Sequence, residues 1–207
     1  MPLSGSLVLT SLFARAFGQA QAPAAMVGKR LYLRPPRPRD YGPWADLRGA
    51  SREFLTPWEP SWPRDALSRE SYRRRIRRAA QEWRDGTGYG FFLCGRSDDA
   101  LLGGITLGSV RRGVSQSATL GYWLGAPYAR QGLMTEAVHC VLDFAFDRLG
   151  LHRVEAACVP ENRASRGLLL KCGFREEGLA REYLRIDGKW ADHTLFAILS
   201  TDNRPRG

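Results

Sequence analysis

The chain has 207 residues, of which 43% are hydrophobic and 25% are charged, a composition typical of one compact, soluble domain that requires no second core. With 31 Lys and Arg against 21 Asp and Glu, the formal charge is +10. Such a charge suits an acidic or phosphorylated partner, nucleic acid or a nucleotide-bearing cofactor, and does not choose among them.

The cysteines and histidines offer no spacing typical of a metal site. Cys94, Cys140, Cys158 and Cys172 are scattered, and three of them lie inside apolar patterns. This favours free, buried thiols in a reducing cytosol over a disulfide framework or a zinc site. The three histidines show no HExxH spacing. We therefore predict a cytoplasmic protein without a metal.

Residues 1–28 are predicted to form an extension ahead of the domain. The run SLVLTSLFA is apolar and AQAPAA loosely resembles a cleavage region, but no basic segment precedes the run and Arg15 interrupts it. A flexible or weakly amphipathic extension is therefore favoured over a secretion signal, and Met26 offers an alternative start. No segment is long enough to span a membrane. The predicted domain covers residues 29–200, a tail covers 201–207, and we expect a monomer.

The first elements are a strand, a helix and a stiff loop. Leu31 to Pro35 is predicted to be a short edge strand, and Arg39 to Gly49 a helix that buries Trp44 and Leu47. The loop from Phe54 to Pro63 contains three prolines and two tryptophans. Such a loop either binds a ligand or packs on the core.

A strongly basic helix is predicted from Asp65 to Arg84. Large or apolar residues recur at helical spacing, and seven arginines fill the other positions. A solvated face is the usual explanation for such a run, and a docking surface for ribosomal RNA or an acidic partner is the alternative. No sequence-specific nucleic-acid motif accompanies the helix.

The remaining patterns alternate between strands and helices and predict a mixed α/β single domain. The predicted strands are Gly90–Gly95, Leu101–Val110, Ala118–Leu124, Arg153–Val159, Gly178–Ile186 and His193–Leu199, and the short polar turn between the first two suits an antiparallel meander. The predicted helices are one that follows the third of these strands and buries Met134 to Ala145 on one face, and one over Asn162–Lys171.

The segment GYWLGAPYARQGLMTEA runs from an apolar strand through a glycine-containing turn into a helix. Such a turn presents free backbone N–H groups, supported by the helix dipole, to an anion. Gly132 allows close approach of a ligand, and Arg130 can reach a phosphate. No GxGxxG or P-loop pattern is present, so an ordinary turn remains the open alternative. The predicted amide donors are Gln131, Gly132, Leu133, Met134 and Thr135.

Three ordered segments carry a resemblance to a known family: GYWLGAPYARQGLMTEAV, HRVEAACVPENRASRGLLLKCGF and EGLAREYLRIDGKWADH. They resemble the GNAT acetyltransferases, specifically the RimJ/RimL branch that acetylates N-terminal amines of ribosomal proteins. The resemblance covers Lys29 to Ser200. It implies an α/β fold with a mostly antiparallel sheet, splayed at the cofactor cleft, and with helices on both faces.

The resemblance further implies acetyl-CoA as cosubstrate. Its pyrophosphate would lie in the glycine turn, and its pantetheine arm would pair with the strand that ends at Leu124. Ala129 and Met134 depart from the residues usual in the family's turn, which leaves the backbone cradle possible. Asn162 would hold the pantetheine arm, with helix capping as its alternative role.

The same resemblance implies the catalytic residues. Glu182 matches a glutamate beside the acceptor cleft and would be the base, directly or through one water; the alternative is a surface glutamate paired with an arginine. Leu169 stands where many GNAT enzymes carry a tyrosine acid. Ser165 matches a serine near the cofactor sulfur and would relay the proton; it is otherwise a plain helix N-terminal serine, and the intermediate can also supply that proton.

An oxyanion donor is expected among the main-chain N–H groups near Leu124. Tyr122 and His193 are open to a second interpretation as core residues. The predicted walls of the acceptor cleft are Trp58, Tyr122, Tyr183, Trp190 and His193.

The leading hypothesis is an N-acetyltransferase for the N-terminal alanine of a small-subunit ribosomal protein, with the basic helix aiding approach to the ribosome. One alternative keeps the chemistry but takes a small amine, such as an antibiotic, a polyamine or an amino sugar. A second alternative is a ribosome- or RNA-binding factor with little catalysis.

Overall fold

An eight-stranded sheet runs through the part of the chain that the computed structural model describes, residues 26–204. The spatial order of the strands is β1-β2-β3-β4-β5-β6-β8-β7. Every neighbouring pair is antiparallel except β5 and β6, which are parallel. The predicted mixed, mostly antiparallel sheet is therefore confirmed. The strands are β1 (Met26–Val27), β2 (Leu31–Arg34), β3 (Tyr89–Gly95), β4 (Leu101–Arg111), β5 (Ser117–Leu124), β6 (Arg153–Cys158), β7 (Arg175–Ile186) and β8 (Lys189–Leu199).

The prediction that the strand at Leu31 lies at the edge of the sheet is wrong. β1 pairs along its outer side, with Met26 opposite Leu33 and Val27 opposite Tyr32. A strand of two residues is too short to show a periodic pattern, so β1 cannot be predicted from the sequence pattern. The predicted N-terminal extension lies, up to residue 25, outside the described residues.

Within residues 26–204, five α-helices flank the sheet: α1 (Tyr41–Ala50), α2 (Arg52–Leu55), α3 (Arg69–Asp85), α4 (Leu133–Asp143) and α5 (Arg163–Lys171). The basic helix α3 begins four residues later than the pattern predicts because Ser68 caps it: the Ser68 hydroxyl accepts the Ser71 N–H at 3.1 Å. At the other end, Gly86 adopts a left-handed conformation with φ 68° and terminates the helix. One π-helical turn, Phe144–Arg148, extends α4.

The two faces of the sheet carry separate hydrophobic clusters because strand side chains alternate between faces. On one face, Phe91 and Leu93 pack with the buried side of α4, which includes Val138 and Val141. We call this the α4 face. On the other, Phe92 and Cys94 pack with Trp44 of α1 and Tyr72 of α3, and we call this the α3 face. Helices on both faces are thus confirmed. None of the helices between residues 26 and 204 combines the length and apolarity needed to cross a lipid bilayer.

Candidate functional site

A wedge opens between β5 and β6 at the centre of the sheet. The two strands pair only from Ser117↔Arg153 to Thr119↔Glu155. β5 then continues to Leu124 and stays paired with β4, while β6 continues to Cys158 and stays paired with β8. The backbone of Leu120 to Leu124 that faces β6 therefore has no strand partner, and its polar groups are available to a ligand that enters the wedge.

The glycine turn lies at the mouth of this wedge, between β5 and α4. Arg130 and Gly132 both have left-handed backbone conformations, with φ 60° and 75°. This curvature makes a concave array of N–H groups of the kind that binds anions. Gly132 is the N-cap of α4 and brings no capping side chain, so the first-turn N–H groups are left for a ligand.

The predicted amide donors divide into anchored and exposed residues. Leu133 and Met134 are buried in the core, which holds the start of α4 against the sheet, whereas Gln131 and Gly132 are exposed. The Gln131 side chain donates to the Pro127 carbonyl at 3.0 Å, and Thr135 lies half-buried in the first turn of α4. The buried Met134 accounts for its departure from the small residue usual in the family, because its side chain fills core space behind the turn.

Sequence reasoning missed Arg30 and Glu136, which bind the turn from outside. The Arg30 guanidinium donates from Nη1 to the Gln131 carbonyl at 2.8 Å and from Nε to Glu136 Oε2 at 3.1 Å. A Cβ placed at Gly132 would lie 3.4 Å from Arg30 Nη2. Arg30 therefore adds a fixed cation to the rim of the anion cradle.

Glu136 connects this cation to strand β2. Its Oε1 accepts the backbone N–H of Arg30 at 2.7 Å, and its side chain is 16% exposed. Burial disfavours the charged carboxylate, but the hydrogen bonds from the Arg30 backbone, the Arg30 side chain and the Leu31 backbone together outweigh it and lower the pKa of Glu136. The carboxylate is consequently ionised at neutral pH and holds the turn to β2.

Two hydroxyl groups meet across the wedge. Tyr122 Oη lies 2.7 Å from Ser165 Oγ, which joins the unpaired half of β5 to the first turn of α5. Asn162 caps α5 by accepting the Ser165 N–H at 3.0 Å. Burial raises the pKa of Tyr122, and the hydrogen bond with Ser165 only partly offsets this, so the phenol stays protonated. Burial also raises the pKa of the nearby Cys158 thiol, against a lowering effect of Ser165.

Glu182 lies on a bulge in the β7–β8 hairpin. Ala180 pairs with His193 and Leu184 with Ala191, so residues 181–183 stand opposite Asp192 alone. Glu182 has φ 46°, an uncommon conformation for a residue other than glycine, and its N–H donates to Asp192 Oδ1 at 2.8 Å. Bulges of this kind redirect side chains and are frequent beside active sites. Asp192 is thus a third candidate residue, after Arg30 and Glu136, that sequence reasoning missed.

The five predicted acceptor walls lie in different environments. His193 is 3% exposed and its Nδ1 lies 2.9 Å from the Ala191 carbonyl, and the Tyr183 ring lies 5.7 Å from its ring between centroids. Trp190 and Tyr183 are exposed on the β7–β8 hairpin. Trp58 is exposed on the segment from Phe54 to Pro63, which we call the Pro-rich loop. The Tyr122 hydroxyl is hydrogen-bonded to Ser165, so Tyr122 lies at the wedge.

The Pro-rich loop ties the hairpin to helix α1. The Glu59 carbonyl accepts the Asp187 N–H at 3.0 Å, and the Glu59 carboxylate binds both terminal nitrogens of Arg48 at 3.2 and 2.5 Å. The Arg48 guanidinium lies over the rings of Trp62 and Trp123, 4.5 and 4.9 Å from their centroids. Segments that are distant in sequence therefore meet on the α3 face of the sheet, beside the wedge. Across residues 26–204, no group of three or more His, Cys, Asp or Glu side chains is arranged to hold a metal ion.

Comparison with known proteins decides what this arrangement is. Residues 30–175 match the family model described as "Acetyltransferase (GNAT) domain". The chain belongs to the GNAT acetyltransferase family. It is 37% identical to the "Probable N-acetyltransferase YjcK" of Bacillus subtilis over 85% of this chain and 97% of that protein. It is 32% identical to the "[Ribosomal protein uS5]-alanine N-acetyltransferase" of Escherichia coli over 85% and 91%.

The solved structure of one similar protein contains a coenzyme A compound. The structure of Mycobacterium smegmatis RimJ in complex with CoA-disulfide matches this GNAT chain with a TM-score of 0.78 and 37% identity, over 84% of each chain. The predicted family, its RimJ/RimL relatives and the acetyl-CoA-dependent N-acetyltransferase activity are thereby confirmed.

The residues present fit acetyl-CoA. The concave turn, Arg30 and the first turn of α4 offer N–H groups and positive charge to a pyrophosphate, and the unpaired edge of β5 offers backbone groups to the amides of a pantetheine arm. When bound, acetyl-CoA supplies the thioester whose acetyl group is transferred. In this GNAT enzyme the wedge is therefore the candidate active site.

Proposed function

We propose that this enzyme acetylates the N-terminal alanine of a small-subunit ribosomal protein in the cytoplasm. The observation that carries the proposal is the 32% identity to the uS5-alanine N-acetyltransferase, which extends over 91% of that protein. The match extends over 176 residues, which is 85% of this chain.

Glu182 acts as the base in this proposal. An α-ammonium group loses its proton near pH 8, whereas a lysine side chain does so near about pH 10.4, so a carboxylate acting directly or through one water suffices for an N-terminal acceptor. The bulge supports this role because it turns Glu182 out of the regular alternation of β7, and Asp192 holds the Glu182 backbone in place. The amine that loses its proton then attacks the acetyl carbonyl.

Ser165 donates a proton to the departing sulfur of CoA. Its hydroxyl lies in the wedge beside Tyr122, whose protonated phenol can donate a hydrogen bond to Ser165 and free the serine proton for the sulfur. Asn162 supports this geometry by fixing the Ser165 backbone, while its amide N–H₂ group is available to the pantetheine arm. A backbone N–H near Leu124 stabilises the oxyanion.

The arginine side chains of α3 assist docking on the ribosome by contact with ribosomal RNA. All seven arginines between Arg69 and Arg84 are exposed. Cations at this density release counterions when they bind nucleic-acid phosphates, so the contribution falls as the salt concentration rises. Docking of this kind requires no base-specific contacts.

Mass spectrometry of acceptors incubated with enzyme and acetyl-CoA tests the proposal. The panel contains ribosomal-protein N-terminal peptides that begin with Ala or Ser, aminoglycosides and polyamines. We expect acetylation of an Ala-starting peptide at its α-amine. Acetylation of small amines alone would reject the protein acceptor and assign the enzyme to small-molecule acetylation.

A further inference from the structure

A second pocket lies on the α3 face of the sheet, between that helix and strands β3, β4 and β5. Its volume is about 230 Å³, enough for one medium-sized side chain. The helix contributes Arg75, Arg78 and Glu82 to the pocket wall. Neither the proposed catalytic residues Glu182 and Ser165 nor the pyrophosphate turn lines this pocket.

Small residues make the floor of the pocket. Gly90, Thr106 and Gly121 are aligned across the three strands, since Gly90 pairs with Thr106 and Thr106 with Gly121. A Cβ placed at Gly121 would meet no atom within 4 Å, so the space above it is open. A side chain at this position would project into the pocket, and the glycine keeps that volume free.

The pocket carries an excess of positive charge. Arg78 is paired with Glu82, with Nε 3.6 Å from Oε1. Arg75 lies with its guanidinium 5.6 Å from the ring centroid of buried Trp44, and it makes no ion pair among the side chains of residues 26–204. Burial, then repulsion from Arg48 and from Arg78, lowers the pKa of Arg75, while Glu59 only partly compensates. A guanidinium that lines a pocket and has no carboxylate partner among residues 26–204 is stabilised by an anion that enters from solvent.

The pocket adjoins the wedge where the acetyl group is transferred. Gly121, Tyr122 and Trp123 line it, and all three belong to the half of β5 that has separated from β6. The Tyr122 side chain reaches Ser165 on the α4 face, whereas Trp123 packs with the cluster of the α3 face. A peptide with its α-amine at the wedge can therefore place one of its next side chains in this pocket.

We infer that this pocket is an anion subsite of the acceptor cleft, in which Arg75 binds the carboxylate of an Asp or Glu side chain close to the acceptor N-terminus. One unpaired guanidinium matches a single negative charge, and Glu82 in the same wall repels a more highly charged group. The inference rests on the proposed peptide acceptor and adds a requirement for its sequence.

Matched peptides test the subsite. Ala-starting, otherwise neutral peptides carry a single Glu at position 2, 3 or 4, and each has a partner with Gln at the same position. We expect kcat/KM for one Glu position to exceed its Gln partner about tenfold, the scale of a hydrogen bond to a charged group. Arg75→Gln abolishes this preference and leaves the rate with the Gln peptide unchanged.

Two controls separate the subsite from general effects. Arg73→Gln removes the same charge from the same helix at a position that is exposed like Arg75 but does not line the pocket, and it keeps the preference. Gly121→Val fills the pocket and lowers kcat/KM for the Glu peptide, whereas Gly108→Val adds the same side chain to open space on β4 outside the pocket and does not. Binding of the N-acetylated peptides to the enzyme with CoA, measured by calorimetry, shows the same order.

Each outcome bears on one of the two proposals. If all peptides are acetylated with no preference for Glu, or if Arg75→Gln retains the preference, the subsite is rejected and the peptide acceptor stands. If no peptide is acetylated or bound, both proposals are rejected.

Discussion

The side chains of Arg30 and Glu136 join strand β2 to the first turn of helix α4 across 106 positions of sequence. Glu136 accepts both the backbone N–H and the side-chain Nε of Arg30, and Arg30 in turn donates to the Gln131 carbonyl. The glycine turn is thereby held from outside by the strand next to the sheet edge. Arg30 thus places a cation beside the turn, and Glu136 fixes its position.

Arg30→Ala is expected to raise the KM for acetyl-CoA about three- to tenfold with little change in kcat. The substitution removes a partly exposed cation from the cradle, and such contacts contribute modestly. Steady-state kinetics with varied acetyl-CoA and calorimetry with CoA measure the effect. Arg96→Ala is the matched control because Arg96 donates to the carbonyls of Gly28 and Lys29 in the same region. An equal KM change in both variants would mean that Arg30 has only a structural role.

Local patterns predicted the turn, whereas contacts between distant segments could not be predicted from one sequence. Gly132 and the start of the helix after it are adjacent in sequence, so a local pattern suffices to predict the turn. Arg30 has no neighbouring signal, since its role arises only when β2 is placed beside α4. The bulge at Glu182 could not be predicted for a related reason. Nearly all of β7 is exposed, so its alternation of apolar and polar residues is weak, and the two extra residues of the bulge leave no recognisable break in it. The family resemblance indicates Glu182 as a candidate base, and the hairpin register shows that this residue lies on a bulge.

The stability contributed by Glu136 is expected to depend on pH. Its pKa is lower in the folded protein than the value of about 4.3 in an unfolded chain, so the ionised carboxylate favours folding above that value. As the pH falls through the folded-state pKa, the folded protein must protonate Glu136 and this contribution is lost. Glu136→Gln should therefore lower the free energy of unfolding at pH 7 by about 1 to 2 kcal/mol, the scale of hydrogen bonds to a charged group, and the deficit should shrink toward pH 3.

Thermal unfolding of the wild type and Glu136→Gln across this pH range measures the difference. Glu161→Gln, at an exposed position after β6, is the control and should follow the wild type at every pH. A constant deficit from pH 7 to pH 3 would show that the amide disturbs packing and that the carboxylate charge contributes nothing.

The Tyr122–Ser165 pair predicts a split between kcat and KM. Ser165→Ala removes the hydroxyl proposed to protonate the sulfur and should lower kcat about tenfold, with the KM for acetyl-CoA nearly unchanged. Tyr122→Phe removes only the partner of Ser165 and should lower kcat less. Ser117→Ala is the matched control, since it deletes a buried serine hydroxyl at the paired end of the same strand. A wild-type kcat in Ser165→Ala would assign the proton to the intermediate itself.

Glu182→Gln is expected to lower kcat/KM about a hundredfold, because a positioned base contributes on that scale. The amide keeps the size of the side chain and cannot accept a proton from the acceptor amine. Glu176→Gln is the control: Glu176 lies on the same strand and is paired with Arg166, away from the bulge. Both variants should bind CoA as the wild type does, and equal activity in both would exclude Glu182 as the base.

Asp192 is expected to act through the position of Glu182. Its Oδ1 accepts the Glu182 N–H, and this contact holds a backbone with φ 46°. Asp192→Ala leaves that N–H unpaired and should lower kcat about tenfold, whereas Asp192→Asn keeps an oxygen acceptor and should restore most of the rate. The double variant Asp192→Ala with Glu182→Gln should be no slower than Glu182→Gln alone, because a misplaced base and an absent base have the same consequence. A further loss in the double variant, or equal losses in the Ala and Asn variants, would give Asp192 a catalytic charge of its own.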